Sequence, residues 1–78
     1  MNEYKTSDLY FAAYLQTAGC TLKRTEKTGN RVFFIFEYQP LLDDLKLQYF
    51  NGEAKVKAQP YAASIKNLKS LTHQVMSA

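Results

Sequence analysis

The stretch Thr28-Gly29-Asn30-Arg31-Val32-Phe33-Phe34-Ile35-Phe36-Glu37-Tyr38 decides the architecture. Thr28-Gly29-Asn30 is turn chemistry, with Gly29 or Asn30 able to adopt a positive φ. The residues after it are dense in β-branched and aromatic side chains, which suit a pleated, half-buried strand. Upstream, Cys20 and Leu22 alternate with Thr21, Lys23, Thr25 and Lys27, the pattern of a second strand with one wet face. Residues 20–38 therefore read as a β-hairpin. Alternation sends Val32, Phe34, Phe36 and Tyr38 to one face and Phe33 and Ile35 to the other. A two-stranded ribbon is marginal alone, and this one is apolar on both sides. It needs cover from helices, from a third strand or from a second subunit, and self-association through the hairpin is one expectation.

Helices flank the hairpin. Thr6-Ser7-Asp8 supplies N-cap oxygens, Leu9 to Ala18 lacks any breaker, and Gly19 suits a left-handed C-cap. Leu9, Phe11, Ala12, Ala13 and Leu15 cover a broad arc and Tyr10 and Tyr14 another, so this helix is expected to be buried on more than one side. Pro40 opens a second helix with Leu41, Leu42, Leu45 and Tyr49 as its apolar stripe, closed by Asn51-Gly52. Glu53 to Ala58 reads as an extended connector whose Val56 plugs the core, and Pro60 starts a third helix striped by Tyr61, Ile65, Leu68, Leu71 and Val75. The prediction is a single α+β domain over residues 1–78, in the order α-β-β-α-α, with an antiparallel hairpin packed on three helices.

Size and composition narrow the function. A chain of 78 residues buries only about 60% of its unfolded surface and has room for one core. Cys20 is alone, which excludes an intrachain disulfide. No apolar run nears the roughly 18 residues of a membrane span, and Met1 to Asp8 is too polar for a signal peptide, so a cytoplasmic location without membrane contact is expected. Charge is unevenly spread. Residues 1–53 carry Lys5, Lys23, Arg24, Lys27, Arg31 and Lys46 against all seven Asp and Glu, whereas residues 54–78 carry Lys55, Lys57, Lys66 and Lys69 and no acid.

Tyr4-Lys5-Thr6-Ser7-Asp8-Leu9-Tyr10, Ala12-Ala13-Tyr14-Leu15 and Tyr49-Phe50-Asn51-Gly52-Glu53-Ala54-Lys55-Val56 resemble the pattern of a family of small uncharacterised bacterial, archaeal and phage proteins, a domain of unknown function. The likeness spans nearly the whole chain. It implies a short protein from a phage or other mobile element and transfers no catalytic or binding residue.

The residues themselves argue against enzyme chemistry. One Cys and one His cannot furnish a zinc site within a monomer. Cys20 lies at a helix C-terminus, the wrong end of the dipole for a reactive thiol, and reads as a small buried hydrophobe. His73 reads as a solvated residue. Adjacent Asp43 and Asp44 diverge by about 100° on a helix and cannot face each other as an acid/base pair. No glycine-rich phosphate loop is present. The expectation is a non-enzymatic binding module with no catalytic residue, metal or cofactor. Lys55, Lys57, Lys66 and Lys69 would contact nucleic-acid phosphates, with Lys23, Lys27 and Arg31 of the outer hairpin face as a second contact. The plainer reading of both surfaces is a solvated lysine face and an apolar strand face covered by other parts of the protein. A rival function is a protein-interaction module, such as a phage effector binding a host protein through Phe33, Ile35, Leu47 and Phe50.

Overall fold

The computed structural model describes residues 2–77. It contains β1 (Glu3–Thr6), α1 (Leu9–Thr17), β2 (Leu22–Thr28), β3 (Arg31–Glu37), α2 (Pro40–Phe50) and α3 (Ala58–Ser77). The α+β class is as expected, with one strand more at the start, so the order is β-α-β-β-α-α. Four residues, Glu-Tyr-Lys-Thr, are too few to show a period of two in the sequence, and their inward members Tyr4 and Thr6 are only half-buried. The sheet order is β1-β3-β2 with both pairs antiparallel, which makes the two-faced β3 the central strand.

Local chemistry explains each reversal of the chain. The Asp8 carboxylate caps α1 by accepting from the Tyr10 and Phe11 N–H groups at 3.0 and 3.1 Å. At the other end Gly19 takes φ 105°, the Cys20 N–H donates to the Leu15 carbonyl at 3.0 Å, and the Gly19 N–H donates to that of Gln16 at 3.2 Å. This is a Schellman closure, with Leu15 and Cys20 both in the core. It turns α1 directly into β2. In the hairpin Gly29 takes φ 61° while Asn30 keeps a negative φ, the pattern of a two-residue type II′ loop.

The five consecutive residues Phe11 to Leu15 are all buried, because α1 packs against α3, α2 and β1 and its middle has no wet side. Phe34 and Phe36 of β3, Leu42 of α2 and Leu68 of α3 complete the core beneath it. Tyr4, Phe11, Tyr14, Tyr49 and Phe50 form a chain of aromatic contacts at the β1 and α2 side, with centroids 4.9–6.4 Å apart.

Three expectations need correction. Helix α3 starts at Ala58, where the Lys57 carbonyl accepts from the Tyr61 N–H at 3.2 Å, and Pro60 lies inside the first turn, where its missing N–H costs nothing. Leu41 is 45% exposed because Leu42, Leu45 and Tyr49 already define the inward arc of α2. Val56 is 38% exposed and plugs nothing. The chain turns at Gly52 (φ 74°), the Glu53 N–H donates to the Gln48 carbonyl at 2.8 Å, and Ala54 is the residue returned to the core.

Leu68→Ala should therefore cost about 2–5 kcal/mol in urea unfolding, whereas Val56→Ala should stay within about 0.5 kcal/mol. Equal losses at the two positions would contradict this packing.

Candidate nucleic-acid interface

The register places the hairpin cations differently from simple alternation. Leu22 pairs with Phe36, but Arg24 pairs with Ile35, so Lys23 is an extra residue in a β-bulge. Beyond it the parity reverses. Thr25 aligns with Phe34 and Lys27 with Val32 on the inner side, whereas Arg24 and Glu26 move to the outer side with Ile35 and Phe33. Lys27, expected on the outer face, is therefore on the other side of β2, where it is exposed.

The outer face is closed by the chain itself. Ile35, expected in an exposed patch, is 2% exposed, with Lys5 of β1 and Arg24 of β2 as its register partners on either side. Phe33 is half-buried, and the Lys5 ammonium is 4.8 Å from its ring centre. The long aliphatic stems of such residues cover apolar surface while their heads stay in water. Those heads are paired. Glu3 receives Arg24 at 2.9 Å and Lys23 at 3.1 Å, and Glu26 receives Arg24 at 2.9 Å and Lys5 at 3.4 Å. Chiefly through the Arg24 hydrogen bonds, then through Lys23, the Glu3 carboxyl is held at about 2. Glu26 is lowered by the same guanidinium, and Arg24 is bound more firmly to its proton by both carboxylates. Lys23 is thus an ion-pair member, and Phe33 is half-buried with the Lys5 ammonium over its ring. Sequence reasoning passed over Arg24, Glu3 and Glu26, because without β1 and the bulge nothing brings them together.

The C-terminal lysines stand in contrast. Lys66 and Lys69 are exposed on one side of α3 and line a shallow groove of about 350 Å³ with Ala62, Ala63 and Ile65. His73 is exposed one turn beyond Lys69. Lys55 and Lys57 are exposed in the connector leading into α3. Among the described residues none of these four lysines has a carboxylate within ion-pair distance. Arg31 pairs with Thr28 at the hairpin end and borders a second groove, of about 410 Å³, shared with Thr72 and Met76 of α3. Leu47 and Phe50 are 63% and 66% exposed on α2. Cys20 is buried and unpaired, and the described residues hold no group of three or more metal-ligating side chains. No helix is long and apolar enough to cross a membrane.

The chain belongs to the DUF5659 family. This is a domain of unknown function whose model matches residues 1–74. No curated protein and no solved structure matches the chain.

The ion lattice makes a pH prediction for this family member. Because the Glu3 carboxyl is depressed from 4.5 to about 2, its contribution to stability is complete above about pH 4.5 and is lost as pH falls toward 2. NMR titration should place the Glu3 midpoint near 2, and Glu3→Gln should flatten the acid limb of thermal stability. A midpoint of about 4, the value of a free side chain, would mean that the lattice does not hold in solution.

Proposed function

We propose that this chain is a non-enzymatic module that docks on the phosphate backbone of nucleic acid. Lys55, Lys57, Lys66 and Lys69 would neutralise phosphates, with Lys27 and Arg31 at the hairpin end as a lesser contact. Lys23, expected in that second set, is already committed to Glu3. The observation that carries the reading is the division of the cations: Lys5, Lys23 and Arg24 of the outer sheet face have carboxylate partners, and among the described residues those of α3 and its connector, like Lys27 and Arg31, have none. An unpaired ammonium gains the most from a phosphate, because it displaces counterions rather than an internal partner. The segment from Ala54 to Ala78 contains no Arg, so it lacks the planar guanidinium fork that reads guanine most firmly, and binding would be mostly independent of sequence.

The test is the salt dependence of binding to unrelated duplex oligonucleotides. Affinity should fall steeply with log[salt], and Lys66→Gln with Lys69→Gln should reduce the slope by about 2, near 0.9 per lost phosphate contact. Lys23→Gln should leave the slope unchanged. No binding to DNA or RNA at low salt would end the proposal.

A protein-interaction role is supported by a separate observation, the exposure of Leu47 and Phe50 on one side of α2. In that reading a partner protein, such as a host target of a phage effector, covers α2. Its capture would resist nuclease and be lost in Phe50→Ser.

A further inference from the structure

Two helices expose opposite and matching stripes. On α2, Asp43, Asp44, Leu47 and Phe50 recur at helical spacing and all are exposed. Asp43 accepts from the Tyr38 hydroxyl, and among the described residues neither Asp has a cation within ion-pair distance. On α3, Ala62, Ile65, Lys66 and Lys69 also fall at helical spacing and line the shallow groove. Ile65 is half-buried against the core and the Phe50 ring meets that of Phe11 on one side, and the rest of both stripes is exposed.

We propose that the α2 stripe of one copy docks antiparallel in the α3 groove of a second copy. Charge names the occupant, since a stripe with two carboxylates that have no cation beside them meets a groove with two ammonium groups that have no carboxylate. Length agrees. Asp43 to Phe50 and Ala62 to Lys69 each advance seven residues, about 10.5 Å at 1.5 Å per residue. Antiparallel alignment sets Asp43 against Lys69 with Asp44 about half a turn along from Lys66, Leu47 against Ile65, and the Phe50 ring over the small side chains of Ala62 and Ala63. Parallel alignment would put the carboxylates on the alanines and the ring on Lys69, losing both kinds of match. The docked surfaces differ, so the contact is heterologous, and it closes as a twofold dimer only when both copies exchange it reciprocally. The inference does not depend on nucleic-acid binding, although it uses Lys66 and Lys69.

Analytical ultracentrifugation of the full chain, free of nucleic acid, tests it. Association should rise with concentration and weaken with salt. Leu47→Gln with Phe50→Gln, and separately Lys66→Glu with Lys69→Glu, should each weaken self-association by at least about tenfold, with circular dichroism confirming the fold of both. Mixing the two variants should restore association, because one retains the groove and the other the stripe. Asp43→Lys and Asp44→Lys added to the Lys66→Glu, Lys69→Glu chain should restore it as well. A strict monomer at about 1 mM, or association indifferent to both pairs of substitutions, would overturn the proposal. Loss of nucleic-acid binding alone would leave it standing.

Discussion

Strand β3 is apolar on both faces, and the rest of the molecule is arranged to keep both out of water. Val32, Phe34 and Phe36 meet a helical layer, the ordinary solution for an antiparallel sheet with one covered face. Ile35 and Phe33 lie on the opposite face, outside the core cluster that the helices share. Their cover comes from Lys5, Arg24 and their neighbours on the flanking strands, whose stems lie over the strand while their heads remain in solvent. Cations crowded in this way repel one another unless anions are interleaved, and Glu3 and Glu26 serve that purpose. The lattice also tiles the face beside both sheet edges with charge and places a bulge in β2, which opposes pairing with other strands.

This arrangement determines where charge is left over. Glu3 and Glu26 are consumed on the sheet, Asp8 caps α1, and Asp43 and Asp44 lie on α2. None lies on α3. At physiological ionic strength charges more than about 8 Å apart are largely screened, so the net charge of +3 says less than which ammonium groups have a neighbour. On the outer sheet face Lys5, Lys23 and Arg24 share the carboxylates of Glu3 and Glu26, and these pairs bind the edges of the sheet to each other. On α3 no cancellation occurs. A chain of modest net charge thus has one cationic helix face, and it has one because the sheet needed its carboxylates elsewhere.

Much of the fold was legible because it is written in local chemistry. Asp8 and Gly19 bracket α1, Gly29 marks the hairpin, and the Tyr61 to Val75 stripe identifies the inward side of α3, with Leu68 at its centre. The candidate site was legible only in part. The lysines of α3 are exposed as their wheel positions imply, since a helix face depends on spacing alone. The hairpin surface was misread because a single extra residue, Lys23, reverses the parity of every side chain after it. Strict alternation hides Arg24 on the inner side and brings Lys27 out, the opposite of the folded register. Glu3 could not be seen as a partner for Arg24 because the contact exists only once β1 lies beside β3, and a four-residue strand leaves no periodic trace.

The chemistry of lysine sets what the α3 face can do. Its ammonium is a compact, strongly hydrated charge with no planar fork, so it accepts a phosphate or a carboxylate with little preference between them. Had the segment carried Arg, bidentate geometry would favour particular oxyanions and guanine edges. Arg24, which has that capacity, is used to hold Glu3 and Glu26. Discrimination on α3 must therefore come from the groove floor beside the lysines, where Ala62, Ala63 and Ile65 admit an apolar side chain at the same time as a negative group. A bare phosphate backbone satisfies only the charged half of that surface, whereas an acidic helix with an outward aromatic satisfies both. The two occupants thus differ in what salt does to them. Screening removes most of the attraction to a polyanion, but it leaves the burial of a ring and a leucine intact, so the identity of the ligand is encoded in how much affinity survives when the electrostatic part is gone.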